Sequence, residues 1–325
     1  MKITILDDYQ NAVRGLNCFQ LLGSYDVQVI NQTYQNMDEL VAAIENAEVL
    51  VLIRERTKID QPLLSRLPKL KLISQTGKIS NHLDLAACTR SKVLVAEGIG
   101  SPIAPSELCW ALVMAASRHI PAYVENLGNG EWQQSGSLGL GRTLHGLTFG
   151  IWGYGKIGRR VAQYAKAFGM HVLVWGREGS RKAAESDGFE AAPDKPQFFR
   201  EADVLSLHLR LNAATKGCVT KDDLALMKPD SLFVNMSRAG LVEENALYDA
   251  LKSAPSKMAA IDVYDNEPIR DAADPLISLP NVLCTPHLGY VEKNSYELYF
   301  KVAFENVVNY LEGNPTNIAN GELLP

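Results

Sequence analysis

Three separated residues carry complementary chemistry: Arg238 in "NMSRAG", Glu267 in "DVYDNEP" and His287 in "TPHLGY". Together they suit hydride exchange between a carbinol and a carbonyl. An imidazole titrates nearest working pH, so His287 can give or take the hydroxyl proton. A carboxylate beside it fixes the tautomer and favours the imidazolium, which suits Glu267. A guanidinium clamps a carboxylate and polarises the carbonyl next to it, which suits Arg238. Taken singly, each has a plainer reading: a surface ion pair, a turn residue and a strand-end cap. A second motif, "GIWGYGKIGRRVAQYAKAFGM", spaces Gly153, Gly155 and Gly158 as GxGxxG. In that pattern Gly153 permits a tight turn, Gly155 lets the backbone approach a pyrophosphate, and Gly158 lets a helix pack closely on a sheet. The N–H groups of Lys156 and Ile157 would then face phosphates from the positive end of the helix.

Such groups need elements to hold them. Short β-branched runs alternate with helical stretches along the chain: "ITIL", "VQVI", "VLVLI", "LKLIS" and "VLVA", then "LTFGIWG", "HVLVW", "DVLSLHL", "SLFVNMS", "MAAIDVY" and "NVLCTPH". This alternation predicts parallel sheets with crossover helices. Arg238, Glu267 and His287 each fall just past the carboxyl end of such a strand, where open α/β sheets bind ligands. Two sets of strands flank one long irregular stretch, which predicts two α/β domains. The helix in "SPIAPSELCWALVMAASRH", with Pro102 and Pro105 in its first turn, carries the chain from one to the other. Residues 121–146 are glycine-rich and aperiodic and read as a long functional loop. A final helix over about 291–312 returns to the first domain.

Composition bounds the function. A chain of 325 residues with 46% hydrophobic and 21% charged content is globular, and it buries roughly three quarters of its unfolded surface. A net charge of −5 gives no basic footprint for nucleic acid or anionic membrane. Five scattered cysteines with no CxxC pair argue against zinc or a disulfide framework and fit a cytoplasmic location. The longest apolar runs fall short of a membrane span. "MKITILDDY" reaches acids too early for a signal peptide and reads as a first strand.

The glycine motif, "LHLRLNAATKG", "MKPDSLFVNMSRAGLVEENAL", "AAIDVYDNEP" and "NVLCTPHLGY" follow one another as in a known family. Over nearly its whole length the chain resembles the D-isomer-specific 2-hydroxyacid dehydrogenases, which include glyoxylate/hydroxypyruvate reductases and phosphoglycerate dehydrogenases. The resemblance implies an α/β fold of two Rossmann/flavodoxin-like doubly wound domains. A discontinuous substrate domain (1–101 plus 293–325) would hold an inserted dinucleotide-binding domain (102–292), with the active site between them. It makes Arg238, Glu267 and His287 the catalytic set and Asp262 the contact to the nicotinamide carboxamide. Ser237 and the loop His208, Leu209 and Arg210 join the cofactor residues; a proline common in that loop is Arg210 here. The substrate-carboxylate loop falls on "QTGKIS", where Gly77 is retained and Lys78 and Ile79 depart from the family pattern. Arg54 in "LIRERT" matches a position near the substrate's far end. The loop 121–146, with Trp132, would embrace a second subunit in a homodimer. The implied activity is reduction of a small 2-oxo acid to the D-2-hydroxy acid. Two alternatives stand beside it: a dinucleotide-sensing co-repressor module on the same fold, and a phosphite dehydrogenase, suggested by Lys78.

The cofactor's form depends on "VLVWGREGS". NAD sites place an acid about twenty residues past the first glycine, on the ribose 2′-OH. Here that position is Gly176, followed by Arg177, with Ser180 and Arg181 on the same turn. Two cations and a hydroxyl suit a 2′-phosphate, so the expected cofactor is NADP(H), with NAD(H) second. In the alternative, the arginines pair with Glu178 or Glu185 on a solvated helix.

Overall fold

Apolar residues run without a break through the strand "VLVL" at 49–52, whose four residues are all buried. That is the mark of strands covered on both faces. The computed structural model describes residues 1–270 and 274–324; residues 271–273 and Pro325 of the expected domains lie outside them. The chain divides into two compact units, Met1–Ser101 with Val291–Pro325, and Pro102–Tyr290.

The first unit contains β1 (Lys2–Ile5), β2 (Asp26–Val29), β3 (Val49–Leu52), β4 (Leu72–Gln75) and β5 (Leu94–Ala96). They form a parallel sheet of order β2-β1-β3-β4-β5, the flavodoxin-like order. Helices Met37–Ile44, Gln61–Leu64 and Leu85–Arg90 pack on one face through Val41, Ile44, Leu63, Ala87 and Cys88. The final helix, Lys293–Leu311, touches β4, and Ser74 Oγ donates to the Ala303 carbonyl.

The second unit contains β6 (Thr148–Trp152), β7 (His171–Trp175), β8 (Glu190–Ala191), β9 (Val204–Leu207), β10 (Leu232–Asn235), β11 (Met258–Ile261) and β12 (Val282–Cys284). Their order is β12-β11-β10-β9-β6-β7-β8, the Rossmann order with one extra strand. Alternate residues sort to opposite faces. Phe149, Ile151, Val174, Val204 and Val234 pack under helices Ile103–Ser117 and Lys156–Ala167, while Leu173, Leu205, Leu207 and Phe233 pack against Phe198 and Phe199. The direction of chain winding reverses between β6 and β9, so the loops after these two strands open a crevice there.

Three expectations need correction. Residues 121–146 are not loop throughout, because a helix spans Ile120–Gly128. Pro121 presets its first turn, and Ile120, Val124 and Leu127 form an apolar stripe at helical spacing. None of its residues is buried, so the stripe faces out, and the glycines further on mask its period in the sequence. The strand β8 was also not expected. It is two residues long, lacks β-branched side chains, and exists by pairing with β7. Pro102 sits at the N-cap of helix Ile103–Ser117, so only Pro105 lies within the first turn.

Candidate active site

In the second unit, β6 runs into the glycine motif. Gly153 has φ 103° and donates its N–H to Trp175 O at 3.0 Å. A Cβ on Gly158 would collide with the Gly153 carbonyl oxygen, and one on Gly153 with that of His208. Only glycine lets the three backbones approach. Gly155 is the N-cap of the helix that begins at Lys156 and has no side-chain cap, so its opening N–H groups stay available to an anion. The turn therefore fits a pyrophosphate.

Strand β7 delivers the next group. Gly176 has φ 155°, and Arg177 is the N-cap of helix Glu178–Ser186. Ser180 and Arg181 return their N–H groups to Arg177 O at 2.9 and 3.1 Å. The Arg181 guanidinium lies over the Trp175 ring at 5.2 Å, and its buried Nε has no hydrogen-bond partner among the described residues. Glu178 pairs with Lys182 at 2.6 Å instead of with an arginine. Among the described residues neither Arg177 nor Arg181 enters an ion pair.

After β9, His208 Nε2 lies 3.0 Å from Ser206 Oγ, which in turn contacts Cys109 Sγ at 3.4 Å. The residue keeps some exposed surface, yet burial of its ring pushes the imidazole down to about 4. It is neutral at physiological pH. Leu209 lies against Gly153, and Arg210, exposed, accepts from Thr215 Oγ1 at 2.6 Å. Ser237, after β10, donates its hydroxyl to Leu207 O at 2.7 Å, which ties this loop to β9.

The expected chemical trio follows β10, β11 and β12. His287 Nδ1 and Glu267 Oε2 are 2.6 Å apart, and the two side chains are 28% and 33% exposed. The other Glu267 oxygen accepts from Tyr264 N at 2.9 Å. Burial alone would raise the Glu267 carboxyl. His287, the Tyr264 N–H and the Arg238 charge outweigh that and hold it below the usual carboxylate range. Arg238 is braced by its own loop, donating Nη1 to Ser237 O at 2.6 Å while its carbonyl accepts from Asn235 Nδ2 at 2.9 Å.

His287 has φ 52°, a left-handed conformation that costs a non-glycine residue about 1–3 kcal/mol. Asp262 offsets it. That carboxylate is fully buried and accepts from Leu288 N at 2.7 Å, Gly289 N at 2.9 Å and Thr285 Oγ1 at 2.6 Å. Asp262, expected at the nicotinamide, thus braces the imidazole's loop here. Tyr290 sets its ring edge-on to His287 at 5.6 Å, and Tyr264 OH donates to Thr285 O at 3.0 Å. The sequence reading missed Tyr264, Thr285 and Tyr290. Each lies within a quoted motif, but only the folded loop shows what it touches.

In the first unit, Arg54 (φ 54°) follows β3 and donates its N–H to Thr76 Oγ1 at 3.1 Å. A Cβ on Gly77 would strike the Arg54 guanidinium, so the glycine makes room for it. The N–H groups of Gly77 and Lys78 enter no hydrogen bond among the described residues. The Lys78 ammonium sits on Glu97 at 2.8 Å, and the same carboxylate accepts from Ile79 N at 2.9 Å. Glu97 was not singled out in the sequence, although it stands just past β5, where ligand-facing residues collect.

These sheets and loops match a family. Residues 110–289 fit the D-isomer specific 2-hydroxyacid dehydrogenase, NAD binding domain. A phosphoglycerate oxidoreductase from Vibrio cholerae o395 is 62% identical, with a TM-score of 0.95 over 96% of this chain and 99% of that one. A D-3-phosphoglycerate dehydrogenase from Methanocaldococcus jannaschii is 34% identical over 89% of this chain and 54% of its own length. A glyoxylate reductase from Thermococcus litoralis is 32% identical over 88% of this chain and 87% of its own. The chain belongs to the D-isomer-specific 2-hydroxyacid dehydrogenase family, and its second unit is a binding domain for a nicotinamide cofactor. It spans about half the length of the phosphoglycerate dehydrogenases among its curated relatives. Among the described residues no helix is long and apolar enough to cross a membrane, and no group of His, Cys, Asp or Glu is placed to hold a metal.

Proposed function

We propose that this protein reduces a small 2-oxo acid to the D-2-hydroxy acid, with the reverse oxidation available at higher pH. The observation that carries it is the 2.6 Å contact of His287 with a Glu267 carboxylate kept ionised. With Nδ1 held there, Nε2 is the nitrogen that exchanges the proton with the substrate oxygen. Glu267 stabilises the imidazolium that reduction consumes. Arg238 holds the substrate carboxylate, and the N–H groups of Gly77 and Lys78, beside Arg54, form an anion cradle. The nicotinamide supplies or accepts the hydride. The first unit acts as the substrate domain and the second as the dinucleotide domain.

The glycine turn would hold the pyrophosphate, with Gly176 leaving room for a 2′-phosphate that Arg177, Ser180 and Arg181 receive. That makes NADP(H) the preferred form. The test is a panel of 2-oxo acids, glyoxylate and hydroxypyruvate first, assayed with NADPH and NADH, with phosphite as an oxidation arm. Turnover of at least one 2-oxo acid is expected. Binding of the dinucleotide without turnover of any of them would leave the sensing module, and phosphite oxidation alone would point to that activity. Against the phosphite reading, the Lys78 ammonium that suggested it is already on Glu97.

The protein also assembles, in this reading, as a homodimer through helix Ile120–Gly128 and the segment after it. Trp132 is 74% and Leu140 92% exposed, in the segment that follows the exposed Val124 and Leu127 stripe. Large apolar side chains so exposed support an interface. Light scattering at micromolar concentration should give the dimer mass, and Leu127→Asp with Leu140→Asp should give monomers. A monomeric unmodified protein would overturn the assembly.

A further inference from the structure

Glu97 places a carboxylate in the loop read above as an anion cradle. One of its oxygens takes the Ile79 N–H at 2.9 Å and the other the Lys78 ammonium at 2.8 Å. Its backbone is fixed on both sides: Glu97 N donates to Asn317 O at 2.9 Å, and Glu97 O accepts from Asn306 Nδ2 at 3.1 Å. The next residue, Gly98, donates to Gly77 O at 2.8 Å, and a Cβ on it would collide with the Gln75 carbonyl. The Glu97 side chain is 26% exposed, whereas that of Lys78 is 63% exposed. The anion is therefore the more enclosed member of the pair and the cation the more exposed one. Burial would raise the Glu97 carboxyl, but Lys78 and the Ile79 N–H outweigh it, so the group stays ionised at neutral pH.

We infer that Glu97 is a specificity-determining residue that turns this loop against 2-oxo acids bearing a second negative charge. It acts in two ways. It cancels the Lys78 charge, which leaves the backbone donors of Gly77 and Lys78 and the Arg54 guanidinium beside Gly77 to hold one anionic group. It also sets a carboxylate where a second anionic group of a dicarboxylic or phosphorylated substrate would meet repulsion. A monoanionic 2-oxo acid needs only the N–H groups of Gly77 and Lys78 and suffers little. The inference rests on the proposed anion-binding role of residues 77–79.

The test compares kcat/KM for oxaloacetate, a dianion, with that for glyoxylate, a monoanion, and follows the ratio as the loop charge changes. Glu97→Gln keeps an oxygen for the Ile79 N–H while making the loop cationic, so the ratio should rise about tenfold, the size of one unit charge acting at roughly 10 Å through a partly wet site. Lys78→Met leaves Glu97 uncompensated, so the ratio should fall. Combining the two substitutions should return it close to the original value, and Glu97→Asp, which keeps the charge, should not raise it. A purely structural role would move both substrates together and leave the ratio alone. Should Glu97→Gln fail to fold, as judged by its melting curve, Lys78→Met still carries the opposite sign. Ratios that stay within twofold in both variants, or shift the same way, overturn the inference while the proposed activity stands. If the unmodified protein turns over no 2-oxo acid, the activity fails and this inference with it.

Discussion

His287→Ala should lower kcat for 2-oxo acid reduction by roughly 10²–10⁴-fold, the usual loss when a positioned acid is removed. Cofactor binding, followed by nicotinamide fluorescence, should be unaffected. The geometry supports so large an effect. Nδ1 lies 2.6 Å from Glu267, the Tyr290 ring flanks the imidazole, and Asp262 holds the left-handed backbone at residue 287. The sign of the pH dependence follows. Reduction consumes the imidazolium proton, so its rate should fall as pH rises, and oxidation should show the opposite trend. Glu267→Gln removes the carboxylate that holds Nδ1, so kcat for reduction should fall in that variant too. Near-normal turnover in His287→Ala would remove His287 from the chemical step.

NADPH should be preferred over NADH by at least tenfold in kcat/KM. A charge-assisted hydrogen bond contributes about 1.5–3 kcal/mol, and about 1.4 kcal/mol is a factor of ten. Among the described residues no ion pair competes for Arg177 or Arg181, and the buried Arg181 Nε has no other partner. Arg177→Ala with Arg181→Ala should therefore erase the preference. Introducing an acid at Gly176 is a poor route to reversal. Its φ of 155° strains any residue with a Cβ, and the new atom would lie 3.3 Å from the Ser180 Cβ. Equal or better kcat/KM with NADH in the unmodified protein would show that "WGREGS" does not bind a phosphate.

Eleven of the twelve strands of the described residues were legible because buried parallel strands demand near-continuous apolar runs, and crossover helices must separate them. The glycine motif was legible for a similar reason. Local backbone demands at Gly153 and Gly158 exclude every other residue, so the pattern is written in the chain. Helix Ile120–Gly128 was obscured because its apolar stripe faces outward and dense glycines follow it. Strand β8 carries no local signal at all.

The sequence by itself determined that Arg238, Glu267 and His287 each stand past the end of a parallel strand, since strand periodicity fixes where each strand stops. It also determined that a glycine, Gly176, replaces the acid after β7 and that a cation, Arg177, follows it. Only the tertiary structure decided what these groups touch, because hydrogen-bond partners far apart in the chain meet through sheet order and not through spacing. Asp262 becomes the brace of the loop carrying His287 because β11 and β12 lie side by side. Lys78, a bare cation in the sequence, is held by Glu97 because the loop after β4 folds against the end of β5.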